Sequence, residues 1–209
     1  MSSIFLDLSL ILVVALFSSG AMAKSVGTQS EAQPWRLQEY LVSAEKSPAQ
    51  LLAAAEKLFD RSAVEASRKN PALAHAWQDR LAMLSALSQI FDPSMEGASK
   101  PYFARASKIL ETAMLKDPAL LVRDGAVESM RRINRMRPGY ISRWQSSLEA
   151  AFLSEKNHAE GEGYFIRETI LSAMREASIR PGSKVMNAAR GDSNGRVRAR
   201  LDEWNTSTF

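Results

Sequence analysis

The chain has 209 residues, of which 45% are hydrophobic and 24% are charged, and it contains no cysteine. This composition is ordinary for a globular chain and is enough for one domain with a sizeable core, while the lack of cysteine excludes a fold held by disulfide bonds. The formal net charge of +4 is too weak to indicate a class of partner by itself.

The first element is an apolar stretch of signal-peptide length at residues 8–17, followed by the tripeptide Ala-Met-Ala at residues 21–23. An A-x-A tripeptide after such a stretch is typical of a signal-peptide cleavage site. We therefore predict a secretory signal peptide at residues 1–23, cleaved after Ala23, and a periplasmic or secreted mature protein. Cleavage would remove one negative charge, Asp7, and raise the formal charge from +4 to +5.

The residues before the apolar stretch depart from the usual signal-peptide pattern, because they include Asp7 and no lysine or arginine. An uncleaved anchor is therefore the alternative. The stretch is too short for a comfortable membrane span, and no cysteine follows it to carry a lipid. We expect no stable membrane span after cleavage.

The next part of the chain predicts a short leader and three helices. Residues 24–33 are small and polar, as in a flexible leader. Residues 34–99 are interpreted as an N-terminal helical cap or a degenerate repeat. Its helices start at Pro34, at Ser47-Pro48, where Gln50 nearly completes a capping box, and at Asn70-Pro71. The second helix is predicted to continue through Ala66, and residues 92–99 to form a loop.

The sequence motif at residues 117–130 is repeated with weaker similarity downstream. It reads Asp-Pro-Ala-Leu-Leu-Val-Arg-Asp-Gly-Ala-Val-Glu-Ser-Met. The copies are centred on Val122-Arg123, Ile166-Arg167 and Val197-Arg198. The second lies 44 residues after the first (166 − 122), and the third lies 31 further on (197 − 166). Apolar residues at i, i+4, i+8 and i+11 from Val122 predict one amphipathic helix per copy, and repeats of this size indicate a stacked helical array.

This motif resembles the second helix of a HEAT repeat, in the short form common in bacterial proteins. The resemblance spans roughly residues 100–205 and implies an all-α, right-handed α-solenoid of stacked helix pairs. The second copy departs from the family pattern, because Gly161 stands where the aspartate is expected and Ile170 replaces the small Ala126. An irregular helical bundle with one chance match is the alternative.

The array at residues 100–205 is predicted to contain three helix pairs, with residues 206–209 as a loose tail. The pairs comprise residues 101–116 with the first copy, 141–152 with the second, and 183–190 with 196–204. Asp117-Pro118 is predicted to start the second helix of the first pair, since aspartate caps free amides and proline is tolerated at the first helical position.

Three arginines occupy the same position in the copies, namely Arg123, Arg167 and Arg198. In HEAT-like arrays an arginine here reaches the aspartate of a neighbouring turn. The resemblance therefore implies an inter-repeat structural role for these arginines, with Asp117 and Asp192 as acceptors. The alternative is that the three arginines line a binding face.

A denser basic group comprises Arg131, Arg132, Arg135 and Arg137. Cations near the end of a helix are stabilised by the helix dipole, and Glu128 can pair with Arg131 or Arg132 along the helix, so part of this group has a structural explanation. Arg135, however, has Arg131 rather than an acidic residue four positions earlier, and Arg175 repeats the Arg131 position in the next copy. We therefore predict a basic strip at Arg131, Arg135 and Arg175 as the binding site.

The sequence offers little for catalysis or metal binding. Its two histidines, His75 and His158, lie far apart and no cysteine accompanies them, so we predict no metal site and no cofactor. The acidic loop around His158 leaves weak cation binding as an alternative. A G-x-S-x-G motif is absent, and the glycines at residues 191–195 lack the Lys-Ser/Thr of a phosphate-binding loop. We predict that the protein is not an enzyme.

The leader, the repeat and the lack of catalytic groups together favour a non-catalytic protein-interaction scaffold. Its expected partner is another envelope or secreted protein. The alternative is a helical repeat that binds nucleic acid or an acidic polymer, although an exported protein seldom meets chromosomal DNA. An envelope enzyme is the third hypothesis, and family analogy alone does not decide among them.

Overall fold

The structure, a computed structural model, describes residues 47–69, 76–159 and 161–206. These residues form helices with no strand among them, so the all-α prediction is confirmed. The predicted signal peptide, the leader and the Pro34 helix lie outside the described residues, as do the Asn70-Pro71 start and residues 207–209. Within the described ranges, every helix is too short or too polar to cross a bilayer.

The described helices are numbered in chain order. They are α1 (Pro48–Leu58), α2 (Arg61–Lys69), α3 (Ala76–Ser88), α4 (Glu96–Ser99), α5 (Phe103–Lys116), α6 (Leu120–Met136), α7 (Gln145–Leu153), α8 (Glu155–Ala159), α9 (Tyr164–Glu176), α10 (Ser183–Arg190) and α11 (Gly195–Thr206). Short 3-10 turns lie at Gln89–Phe91, Pro93–Met95, Lys100–Tyr102 and Tyr140–Trp144. The predicted loop at residues 92–99 is therefore largely helical.

The start of α1 confirms the predicted capping box, because Ser47 and Gln50 exchange both of its hydrogen bonds. The prediction that this helix continues through Ala66 is wrong. It ends at Leu58, and α2 begins after Asp60, whose carboxylate accepts hydrogen bonds from the backbone amides two and three residues later. An aspartate that caps a new helix competes with continuation of the old one.

The second helix of each predicted pair buries its apolar stripe. In α6 the buried stripe is Val122, Ala126, Met130 and Ile133, and in α9 it includes Ile166, Ile170 and Met174. The helix α6 starts later than predicted. Asp117 accepts a hydrogen bond from the amide of Ala119, which is itself extended, so regular helix begins only at Leu120.

The helices contact one another in two rows. The first-row helices α1, α5, α7 and α10 each contact the next, and so do the second-row helices α3, α6, α9 and α11. Each first-row helix also contacts the second-row helix that follows it in the chain. One hydrophobic cluster, which extends along the chain from Leu51 to Trp204, joins the two rows. This arrangement places equivalent residues of successive second-row helices close to one another.

Candidate interaction surface

A chain of hydrogen bonds links the second-row helices, and we call it the arginine ladder. Its members are Arg80, Asp117, Arg123, Asn157, Arg167, Asp192 and Arg198. All of them except Arg198 are buried. In each step, a second-row arginine binds the side chain of a residue that precedes the next second-row helix. The following arginine binds the backbone carbonyl of that same residue.

The first step is built on Asp117, between α5 and α6. Arg80 of α3 donates through Nε to Oδ2 at 2.7 Å and through Nη2 to Oδ1 at 3.0 Å, which is the bidentate geometry of a strong ion pair. Arg123 donates through Nη1 to the backbone oxygen of Asp117 at 3.0 Å. Asp117 therefore connects the second-row helices α3 and α6.

The second step is built on Asn157 of α8. Arg123 donates through Nε to its side-chain oxygen at 2.9 Å, and Arg167 donates through Nη1 to its backbone oxygen. The amide nitrogen of Asn157 donates in turn to the backbone oxygen of Ala151 at 2.7 Å, at the end of α7. Asn157 is 1% exposed, so these bonds are made away from water.

The third step is built on Asp192, between α10 and α11. Arg167 donates through Nε to Oδ2 at 2.7 Å and through Nη2 to Oδ1 at 2.9 Å, and Arg198 donates to the backbone oxygen. Burial by itself would raise the pKa of Asp192. The hydrogen bonds from Arg167 and from the amide of Asn194 outweigh burial and hold that pKa below its usual value.

The sequence pattern identified five members of the ladder and missed Arg80 and Asn157. Arg80 stands 43 residues before Arg123 (123 − 80), close to the repeat spacing, and this signal could have revealed it. The expectation that Gly161 takes the place of the aspartate is corrected by Asn157. Asn157 lies ten residues before Arg167 rather than six, because α8 adds about one helical turn to this connection.

The predicted basic strip is paired with carboxylates. Arg131 binds Glu128 on its own helix and Glu176 on α9, and its side chain is only 16% exposed. Arg135 is 61% exposed and lies 3.8 Å from the same Glu176. The hydrogen bond from Arg131 lowers the pKa of Glu176, which keeps this carboxylate ionised. Arg131 and Arg135 are thus brought together, but as parts of an ion-pair network.

Arg175 extends the same network towards α11. It binds Glu203, which also accepts from Arg200 through Nη1 at 3.0 Å. These side chains border a cavity of about 340 Å³ between α6, α9 and α11. We define the second-row face as Arg131, Arg135, Arg175, Glu176, Arg200 and Glu203. Each of its two carboxylates is shared by two of its four guanidinium groups, so the face is less basic than the sequence pattern indicated.

The other arginines of the dense group have structural contacts instead. Arg132 donates to the hydroxyl of Ser85 on α3 at 2.6 Å. Arg137 donates through Nε to the backbone oxygen of Phe91 at 2.7 Å and through Nη1 to Glu96 at 3.1 Å. Arg132 therefore connects α6 to α3, and Arg137, the residue after α6, connects the end of that helix to the segment between α3 and α5.

One acidic residue of α6 lies beside this face without belonging to it. The Oδ1 atom of Asp124 is buried and has no hydrogen-bond partner among the described residues. Burial raises the pKa of Asp124 to about 6, although a hydrogen bond with the Thr169 side chain opposes the shift. Sequence patterning could not identify this group, because Thr169 reaches it only through the contact of α6 with α9.

The described residues contain no group of three or more histidines, cysteines or carboxylates that could hold a metal ion. The ring nitrogen Nε2 of His158 lies 3.0 Å from the backbone oxygen of Phe152, within hydrogen-bond distance. His75 and Glu160 lie outside the described residues.

Comparison with family models, with curated proteins and with solved structures finds no match to this chain.

Proposed function

We propose that the mature chain is an exported, right-handed α-solenoid of HEAT-like helix pairs with an N-terminal helical cap. In this proposal it is a non-catalytic scaffold that binds another envelope or secreted protein. The observation that carries the proposal is the arginine ladder, in which one kind of contact recurs between successive second-row helices. Recurrent contacts between neighbours are the basis of solenoid folds, which use their extended surfaces to bind partners.

The proposed partner surface is the second-row face. Arg135 is the most exposed of its cations, while Arg175, Arg200 and Glu203 are each more than a third exposed. The carboxylates Glu176 and Glu203 lie among four arginines, so the face carries charges of both signs. Charges of both signs suit a folded protein partner with its own acidic and basic groups, because matched charges determine orientation and specificity.

The proposal is tested by crosslinking a tagged full-length copy in its own cells and identifying captured proteins by mass spectrometry. The test variant is Arg135→Glu/Arg175→Glu, which reverses two exposed cations and leaves the more buried Arg131 in place. The matched control is Lys184→Glu/Arg190→Glu, which makes the same charge change at two exposed positions of α10. Circular dichroism of both variants checks that the fold is kept.

We expect a small set of exported proteins to be captured by the wild type and the control and lost from the test variant. Capture that ignores the test variant would remove the second-row face from the proposal. Failure to enrich any exported protein in all three experiments would contradict the scaffold function itself. Export is tested separately by intact mass, because cleavage after Ala23 leaves a mature chain that begins at Lys24.

A further inference from the structure

A second concave surface lies on the first-row side, between α5 and the 3-10 turn Tyr140–Trp144 that leads into α7. We call it the first-row groove; its volume is about 440 Å³. Phe103, Tyr140 and Trp144 line its base, and Lys100, Lys108 and Arg143 stand around its rim. We propose that this groove binds an acidic peptide segment of a partner protein, with one apolar side chain of the segment seated on the aromatic base.

The base of the groove is held in shape by aromatic packing. Phe91 lies beneath it, with its ring centroid 4.8 Å from that of Phe103 and 5.2 Å from that of Tyr140. The Tyr140 and Trp144 centroids are 5.3 Å apart. Such packed rings add stability beyond their buried area and do not collapse into the empty space. The groove is therefore preorganised, which lowers the cost of binding.

The rim supplies positive charge. Lys100 and Lys108 have side chains that are 74% and 72% exposed, and Arg143 is exposed as well. Among the described residues, Glu111 is the one carboxylate that lines the groove. Hydrogen bonds from Ser147 and Lys108 lower the pKa of Glu111 and occupy its oxygens. Lys108 binds Glu111 at 2.9 Å and Lys100 lies 4.0 Å from Glu96, so the three cations face two carboxylates. With Arg143 the rim keeps an excess of one positive charge, which an acidic segment would complement.

The geometry favours a peptide over a nucleic acid. Base recognition by single-strand binders depends on free aromatic faces on which bases stack. Here the Arg143 guanidinium lies 4.6 Å above the Tyr140 ring, the Arg137 guanidinium lies 4.8 Å above the Phe103 ring, and Trp144 is only 3% exposed. These contacts cover the ring faces on which a base would stack. The parts of Phe103 and Tyr140 that remain accessible line the groove, and it is against these that we place the apolar side chain of the peptide.

This inference adds a surface to the proposed scaffold and does not depend on the second-row face. It is tested with the full-length protein and three fluorescently labelled peptides. The first peptide, GEEDLFDEEG, has both acidic residues and an apolar centre. In the second, GEEDSSDEEG, the centre is polar, and in the third, GKKRLFRKKG, the flanks are basic. Binding is followed by fluorescence anisotropy at low and at physiological salt.

We expect the first peptide to bind at least about tenfold more tightly than either of the others. Lys108→Glu/Arg143→Glu should weaken this binding by at least about tenfold, because it reverses the rim charge. Ala104→Trp should do the same by filling the groove from an exposed wall position, which leaves the packed base unchanged. The charge-matched control Lys184→Glu/Arg190→Glu should bind as the wild type does.

Three results would overturn the inference. Equal binding of the serine-centred peptide would show that the rim attracts any polyanion and that the apolar base has no role. Equal binding of a thymidine oligonucleotide, lost in the same variants, would assign the groove to nucleic acid. Unchanged peptide binding in the Ala104→Trp variant would place the binding site elsewhere. None of these results bears on the second-row face, so the two proposals fail separately.

Discussion

Asp124 is a buried carboxyl group at the contact between α6 and α9. Burial is the main reason that its pKa is raised to about 6, and the neighbouring Glu128 and Glu168 add to the shift. The Thr169 side chain and Arg131 act in the opposite direction. Because the folded protein holds this proton more tightly than the unfolded chain does, the contribution of Asp124 to stability is fully present below the unfolded pKa and is lost as the pH rises through the folded value.

The first prediction follows from this titration. Asp124→Asn removes the ionisation, so its stability relative to wild type should increase by about 2 kcal/mol between pH of about 4 and about 8. Urea unfolding at several pH values measures the difference. Thr169→Val removes a hydrogen bond that favours the ionised form, so it should move the pH window upwards. A difference between Asp124→Asn and wild type that does not depend on pH would contradict the prediction.

Asn157 shows why one step of the arginine ladder uses an amide instead of a carboxylate. Asp117 and Asp192 each accept from an arginine and from the backbone amide two residues later. Asn157 accepts from Arg123 but also donates to the backbone oxygen of Ala151 at 2.7 Å. An aspartate at this position would face that carbonyl with an oxygen that has no proton to donate.

The second prediction is that Asn157→Asp destabilises the protein at neutral pH by about 1–2 kcal/mol, although it restores the residue type of the other two steps. The loss of the bond to Ala151 outweighs the charge gained beside Arg123. Chemical unfolding at pH of about 7 measures the cost. Below the pKa of the new carboxyl the difference should shrink, because a protonated aspartate donates again. Greater stability than wild type at neutral pH would show that the charge dominates.

At the scale of elements, Gly125 determines how closely α3 and α6 approach. A Cβ atom built on Gly125 would overlap Cδ1 of Leu81 and would lie 3.9 Å from Cδ1 of Leu84. The next residue of α6, Ala126, is also small and is fully buried. The third prediction concerns this contact.

Gly125→Leu should destabilise the protein by about 1–3 kcal/mol, because the added atoms force α3 and α6 apart. The double variant Gly125→Leu/Leu81→Ala should recover part of this loss by opening space for the new side chain. Gly125→Ala is expected to be close to neutral, since the end of the half-buried Leu81 side chain can turn away and alanine favours helix. Equilibrium unfolding of these three variants and of the single variant Leu81→Ala gives the values to compare. Simple additivity of the two single changes would argue against direct packing.

How much the sequence predicts differs between local and long-range features. Helices α6 and α9 were predictable, because Val122, Met130, Ile166 and Met174 follow the 3.6-residue period. The break between α1 and α2 was also a local signal, in the capping aspartate Asp60, but the apolar pattern on both sides masked it.

The ion pairs of the candidate surface could not be predicted in the same way. Arg131 and Glu176 are 45 residues apart, and only the contact of α6 with α9 brings them together. The three arginines therefore indicated a basic strip that the structure neutralises in part. The first-row groove was missed for the same reason. Phe103 and Tyr140 come from separate segments, and their proximity depends on the packing of α5 beside the turn.

At the scale of the whole molecule, the helix contacts predict graded stability. A chain that ends after Arg180 loses α10 and α11, and a chain that ends after Pro138 also loses α7, α8 and α9. The first-row and second-row contacts that remain in each shortened chain are those of its own neighbouring helices. In a solenoid such as we propose, stability is a sum of repeat and interface contributions.

The fourth prediction is that both truncated chains keep helical circular dichroism in proportion to their remaining helices. Their urea midpoints should fall in order from the full chain to Arg180 and then to Pro138, with smaller slopes as less surface is exposed on unfolding. If removal of α10 and α11 alone abolishes the helical signal, the helices share one indivisible core, and the solenoid proposal is wrong.

The sharing of residues within the arginine ladder also determines how the protein could be lengthened. Asp117 serves the arginine before it through its side chain and the arginine after it through its backbone oxygen, and Asn157 does the same. A duplicated unit must therefore begin at one acceptor and end just before the next, as residues 117–156 do. Inserted ahead of Asn157, a second copy of that segment would provide every guanidinium group with both of its acceptors. A unit cut within residues 118–122 would separate Asp117 from Arg123 and leave one arginine without its backbone acceptor.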